Sequence, residues 1–169
     1  MRLQTTTRHC LICGIERETP EPLLEGFARA PELIADALAH ATAAGHAGWT
    51  PAEVVSHLAD TEMNFGARIR QVLAEDEPLL TSYDQERWAR ALGYTRRDPA
   101  LALETFGVCR AASIELLRAA RPADWQRAYV QTPEGWRPGD AAAPTRRTLD
   151  DLVRHRADHD LQHLRQITG

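Results

Sequence analysis

Apolar residues recur every three to four positions along four long stretches of this chain, and almost nowhere at every second position. That spacing gathers them on one stripe of an α-helix, so the chain can bury them only by packing helices on one another. The first stretch, residues 21–44, carries Leu23, Leu24, Phe27, Leu33, Ile34 and Leu38 and closes at Gly45 and Gly48. Pro31 falls inside it; proline lacks a backbone donor and crowds the preceding turn, so a kink or a split is expected there. The second stretch has the sharpest start, with Thr50 as N-cap, Pro51 at the first helical position and Glu53 completing a capping box. Val54, Leu58, Phe65, Ile69 and Val72 follow, up to Glu77-Pro78. A short helix is expected over 84–91, around Trp88. Asp98-Pro99 opens the third long helix, which runs through Leu103, Phe106, Ile114 and Leu117 to Arg121-Pro122. Residues 122–147 read as irregular, punctuated by Pro133, Gly135, Pro138, Gly139 and Pro144. Thr148 opens the last helix, with Asp150 and Asp151 in its first turn and Leu149, Leu152, Val153, Leu164 and Ile167 on its apolar face. Four long helices joined by long crossover loops describe an all-α four-helix bundle. A chain of 169 residues fits one such domain, over 19–169, with residues 1–18 expected as a mobile or loosely packed N-terminal segment.

A net charge of −4 and a pI near 6.0 argue against a nucleic-acid partner, which would call for a basic face. No apolar run approaches membrane-spanning length, and MRLQTTTRHC has no hydrophobic signal core, so a cytoplasmic location without a membrane partner is expected. The three cysteines are too few and of the wrong parity for a disulfide framework. Cys10 and Cys13 form one Cys-x-x-Cys, but no second ligand pair and no strand-to-helix context accompanies it. No metal or redox role is assigned to that pair.

The residues with the clearest chemical potential are histidines. His159 and His163, in HDLQH, lie four apart on the last helix and point the same way, which presents two imidazole nitrogens to one metal ion. His155 extends the run, but three positions at i, i+4 and i+8 rise about 12 Å along a helix, too far for a single ion to reach all three. A third ligand must come from another helix. His57, in TPAEVVSHLADTE, lies at the edge of the second helix's apolar arc and can face the bundle interior near its rim. Three histidines would form the open-position set of a catalytic site, whereas the same pattern also fits half-buried histidines with a structural role. Glu62, Arg110, Arg156 and Asp160 all fall inside apolar arcs. Two acids and two bases there predict internal ion pairs, for example Glu62 with Arg110, because unpaired buried charge is costly. A functional reading has Asp160 or Glu62 orienting a ligand imidazole through its free N–H. The 122–147 segment leads straight into the histidine helix and is a candidate lid.

The run GWTPAEVVSHLADTE, the later DQERWA and the terminal HRADHDLQHLRQI resemble the DinB/YfiT-like superfamily, from about Thr19 onward. That resemblance implies a four-helix bundle holding a divalent ion, zinc or nickel, on His57, His159 and His163, in agreement with the helical-arc placement. It also implies a homodimer and a small-molecule substrate. Some relatives are S-transferases using bacillithiol or mycothiol, others resemble mycothiol-dependent isomerases, and many are labelled as hydrolases. A thiol S-transferase acting on small electrophiles is therefore the expected activity, with a metal-dependent hydrolase or a non-enzymatic metal-binding or ligand-sensing bundle as alternatives. Three neutral imidazoles leave the ion's charge uncompensated, so a bound water or thiol loses its proton more easily. No catalytic base is identified by the sequence.

Overall fold

The computed structural model of the protein describes residues 8–9, 16–17, 20–41 and 48–168. Cys10 and Cys13 lie outside the described residues, as does most of the 1–18 segment, where only the antiparallel pairing of β1 (Arg8–His9) with β2 (Glu16–Arg17) is described. The helices are α1 (Pro20–His40), α2 (Pro51–Ala74), α3 (Gln85–Leu92), α4 (Pro99–Ala119) and α5 (Leu149–Thr168). The four long ones form the bundle expected from the periodicity. Helices α2 and α4 make the most extensive contact, and α1 packs on both α4 and α5. Gly66 of α2 faces Ser113 of α4, whose Oγ lies 3.5 Å from where a methyl group would stand.

Pro31 does not split the first helix. It sits within an unbroken α1 and packs toward Gly107 of α4. In a helix the carbonyl of residue 27 would accept from the N–H of residue 31, and proline has none. Arg110 on α4 supplies the missing donor: its Nη1 reaches the Phe27 carbonyl at 2.6 Å. The interruption is repaired by the neighbouring helix.

Residues 122–147 are more ordered than the sequence suggested. A 3-10 turn at Asp124–Gln126 buries Trp125, and β4 (Ala128–Gln131) buries Tyr129. Strand β4 pairs antiparallel with β5 (Thr145–Thr148) and parallel with β3 (Leu79–Leu80), making a three-stranded sheet at one end of the bundle. Strands of two to four residues, one of them reading Thr-Arg-Arg-Thr, are too short and too polar to show an alternating pattern. Two buried clusters fill the bundle. One, around Phe65, Ile69, Leu117, Trp125 and Leu152, lies toward the sheet; the other, around Ile34, Val54, Leu58 and Phe106, lies toward the far end.

Candidate metal centre

Capping boxes set the rotational phase of both histidine-bearing helices. On α2, Glu53 N–H donates to Thr50 Oγ1 at 3.3 Å and Thr50 N–H donates to Glu53 Oε2 at 2.9 Å. On α5 the same exchange links Thr148 and Asp151, at 3.0 and 3.3 Å. With each start fixed, every later side chain follows at about 100° per residue.

That phase brings the three histidines of the sequence reading together. Nε2 of His57 lies 3.0 Å from Nε2 of His159, which in turn lies 3.2 Å from Nε2 of His163. His57 is deeper than the rim position expected for it, only 1% exposed, because the Trp49 ring packs edge-on over it with centroids 5.0 Å apart. His155 stays exposed.

The donor set fits a divalent ion. Tetrahedral bonds of 2.0–2.1 Å would place neighbouring nitrogens about 3.3 Å apart, within a few tenths of an ångström of the observed spacings. Three lone pairs converging on one point repel each other unless a proton or a cation sits among them. His163 Nδ1 donates to the Gln166 side-chain oxygen at 2.8 Å, which leaves its Nε2 free to coordinate. Arg156 Nη1 meets His159 Nδ1, the ring nitrogen on the side away from the cluster. Burial, then the neighbouring His163 and Arg156 charges, lower the His57 pKa to about 3. His159 lies well below the usual histidine range, through burial first and Arg156 second. Burial also lowers His163, against the opposing hydrogen bond to Gln166. All three are neutral at physiological pH, the state that metal binding requires.

Behind the histidines lies a buried, charge-balanced quartet. Arg110 grips Glu62 with Nε at 3.0 Å and Nη2 at 2.8 Å, the pair expected from the sequence, and Nη2 also lies 2.7 Å from Asp160. Arg156 donates from Nε to Glu62 at 3.1 Å and lies 3.2 Å from Asp160. Burial tends to raise the Glu62 pKa, but the hydrogen bond from Arg110 and the charge of Arg156 outweigh it and hold the carboxyl low. For Asp160 burial wins and the pKa is raised. The orienting role expected for Glu62 or Asp160 falls instead to Arg156 and Gln166. The carboxylates are committed to the arginines, and Arg156 is the link between them and the imidazole of His159. Arg156 is three residues before His159 and Gln166 three after His163, a spacing from which both could have been found.

A cavity of about 280 Å³ opens onto this cluster. His57 and Thr61 from α2 line it, with Arg156 and His159 from α5 and Tyr83 from the segment after β3. Thr61 donates its hydroxyl proton to the His57 carbonyl at 2.7 Å, so Tyr83 O–H, 3.0 Å away, donates to Thr61. His155 and Glu134 also line the cavity; Glu134 is the contribution of the segment expected as a lid.

Comparison with known proteins bears on the same bundle. Residues 17–167 match the sequence model of the DinB superfamily. A supposed metal-dependent hydrolase of Bacillus licheniformis is 32% identical over 83 residues, covering 49% of this chain and 47% of that protein. A protein of the same description from Oceanobacillus iheyensis is 30% identical over 88 residues, covering 52% and 51%. The matched stretches thus span about half the length of each relative. In three dimensions the chain superposes on YfiT of Bacillus subtilis, described as a probable metal-dependent hydrolase with an unusual four-helix bundle topology. The TM-score is 0.76 at 23% identity, over 88% of this chain and 83% of that one.

Proposed function

The chain belongs to the DinB superfamily, and from that premise we propose that it binds one divalent ion, zinc or nickel, through Nε2 of His57, His159 and His163 and uses it as a small-molecule S-transferase. The convergence of three neutral imidazole nitrogens, two of them on residues that line a cavity, carries this reading. An ion held there would act as a Lewis acid that eases deprotonation of a protic nucleophile. A low-molecular-weight thiol such as bacillithiol or mycothiol is the nucleophile that asks least of the surrounding residues. Its sulfur attacks an electrophilic carbon, a carbon–sulfur bond forms as a carbon–chloride bond breaks, the chloride leaves, and the thiol proton passes to solvent. Among the described residues Glu134 is the one carboxylate lining the cavity, and it is exposed. The arrangement therefore suits a thiol, whose ordinary pKa of about 8.5 needs little lowering, better than an amide that needs a proton delivered to its leaving group. Hydrolysis is the second reading, favoured by the names of the relatives and by His155 at the cavity, within reach of a general-acid role. As part of the same proposal the protein acts as a homodimer and takes no nucleic-acid or membrane partner; its acidic balance speaks against a nucleic-acid partner, and no described helix is long and apolar enough to cross a membrane.

Elemental analysis tests the site: about one zinc or nickel per chain in the purified protein, lost in His57→Ala and kept in His155→Ala. The reverse pattern refutes the ligand assignment. A chlorinated electrophile incubated separately with bacillithiol, mycothiol and glutathione tests the reaction. Hydrolysis of esters without conjugation by any thiol would establish the second reading instead.

A further inference from the structure

The cavity has a second chemical pole. His57, Thr61, Asn64 and Arg68 fall on one face of α2 and all line it, so the wall runs from the histidines toward the sheet. Arg68 is half-buried there, with one N–H committed: Nη2 donates to the Thr81 carbonyl at 2.6 Å. Its guanidinium lies 5.9 Å from the Tyr83 ring centroid, and no carboxylate among the described residues pairs with it. Arg156, in contrast, is neutralised by Glu62 and Asp160. His155, which borders the cavity, has its pKa lowered by desolvation there first and by Arg156, Arg147 and Arg68 after it, so it adds no positive charge at neutral pH. Among the described residues Glu134, at the exposed rim, is the one acidic group that lines the cavity. A guanidinium held half out of water with free N–H groups is matched by a carboxylate, which it can grip with two parallel hydrogen bonds.

We propose that Arg68 is a carboxylate-binding residue, and that the molecule handled at the three histidines is an elongated acid with its carboxylate at the far end from the reacting group. Seven residues separate Thr61 from Arg68, about 10 Å of helix rise, which sets the scale of the ligand. Acidic molecules of this shape are favoured over neutral analogues because an unmatched guanidinium in the cavity loses hydration without return.

The inference rests on the three-histidine metal reading, and a cobalt-loaded protein separates the two. Intense visible absorption on cobalt addition reports the histidine site alone, and its absence refutes the metal reading first. Titration calorimetry then compares suberate with octanoate, two acids of equal chain length that differ by one terminal carboxylate. Cobalt-loaded wild type should bind suberate about tenfold or more tightly than octanoate, the scale of a charge-assisted hydrogen bond. Arg68→Gln, which keeps a donor for the Thr81 carbonyl, should remove that preference while leaving cobalt affinity unchanged. Arg68→Lys should restore part of it. Equal binding of the two acids by wild type, no binding of suberate, or equal weakening of both acids in Arg68→Gln would overturn the proposal.

Discussion

Glu62→Gln is the most incisive single change to the interior. The carboxylate is fully buried and accepts three N–H groups, at 3.0, 2.8 and 3.1 Å, from two arginines on different helices. Glutamine removes the charge and turns an amide N–H₂ toward guanidinium donors, leaving Asp160 as the one carboxylate of the quartet for two buried cations. Breaking a buried pair from one side costs about 3–5 kcal/mol, against about 0–1 kcal/mol for an exposed pair. At about 2–4 °C per kcal/mol for a chain of this size, the melting temperature should fall by about 6–20 °C. Urea and thermal unfolding of chelator-treated protein at neutral pH measure this without a contribution from metal binding. Because the quartet is shielded from solvent, added salt should leave the difference unchanged. The Glu62 pKa is depressed in the fold, so the advantage of wild type is present above the ordinary glutamate range and is lost as pH falls through the folded value. A loss below about 1 kcal/mol, or one erased by salt, would refute the view that the quartet is a sealed ionic core.

Other perturbations address the site and its supports. The metal-free protein should lose stability as pH falls below about 6.5 toward the His57 value of about 3, because the unfolded chain binds protons there that the buried imidazoles refuse; flat stability across that window by circular dichroism would contradict the burial of neutral histidines. Gln166→Leu removes the acceptor that fixes the His163 ring and should weaken zinc affinity by about 10–100-fold in a competitive chelator titration, with little change in metal-free stability. Thr50→Ala deletes one half of the α2 capping box and should cost about 0.5–2 kcal/mol in urea unfolding.

Much of the architecture could be read from the residues because local chemistry and tertiary role agreed. Thr50, Pro51 and Glu53 specify where α2 begins, and that phase alone turns His57 inward. The four-residue spacing of His159 and His163 likewise decides their common direction. What escaped reading depended on partners distant in sequence. Even the depth of His57 depends on a nearer partner outside its helix, Trp49, folding back over it. The strands of the end sheet exist because β4 has β3 and β5 to pair with, not because of their composition. Glu62 and Asp160 were recognisable as inward charges, but their commitment to Arg110 and Arg156 leaves the imidazole contacts to Arg156 and Gln166.

The bond from Arg110 to the Phe27 carbonyl has a bearing on how the chain folds. A helix that contains Pro31 carries a vacant acceptor when it stands alone, so an isolated α1 should be weakest at its middle. The same proline keeps that acceptor reserved: with any other residue at 31, an N–H from within α1 would compete for it and loosen the hold of Arg110. Docking of α1 and assembly of the ionic core thus become one event, since a single guanidinium completes both. An apparent flaw in one helix serves as the keyhole that fixes its register on another, and folding should proceed to that lock without a populated state in which α1 is formed but undocked.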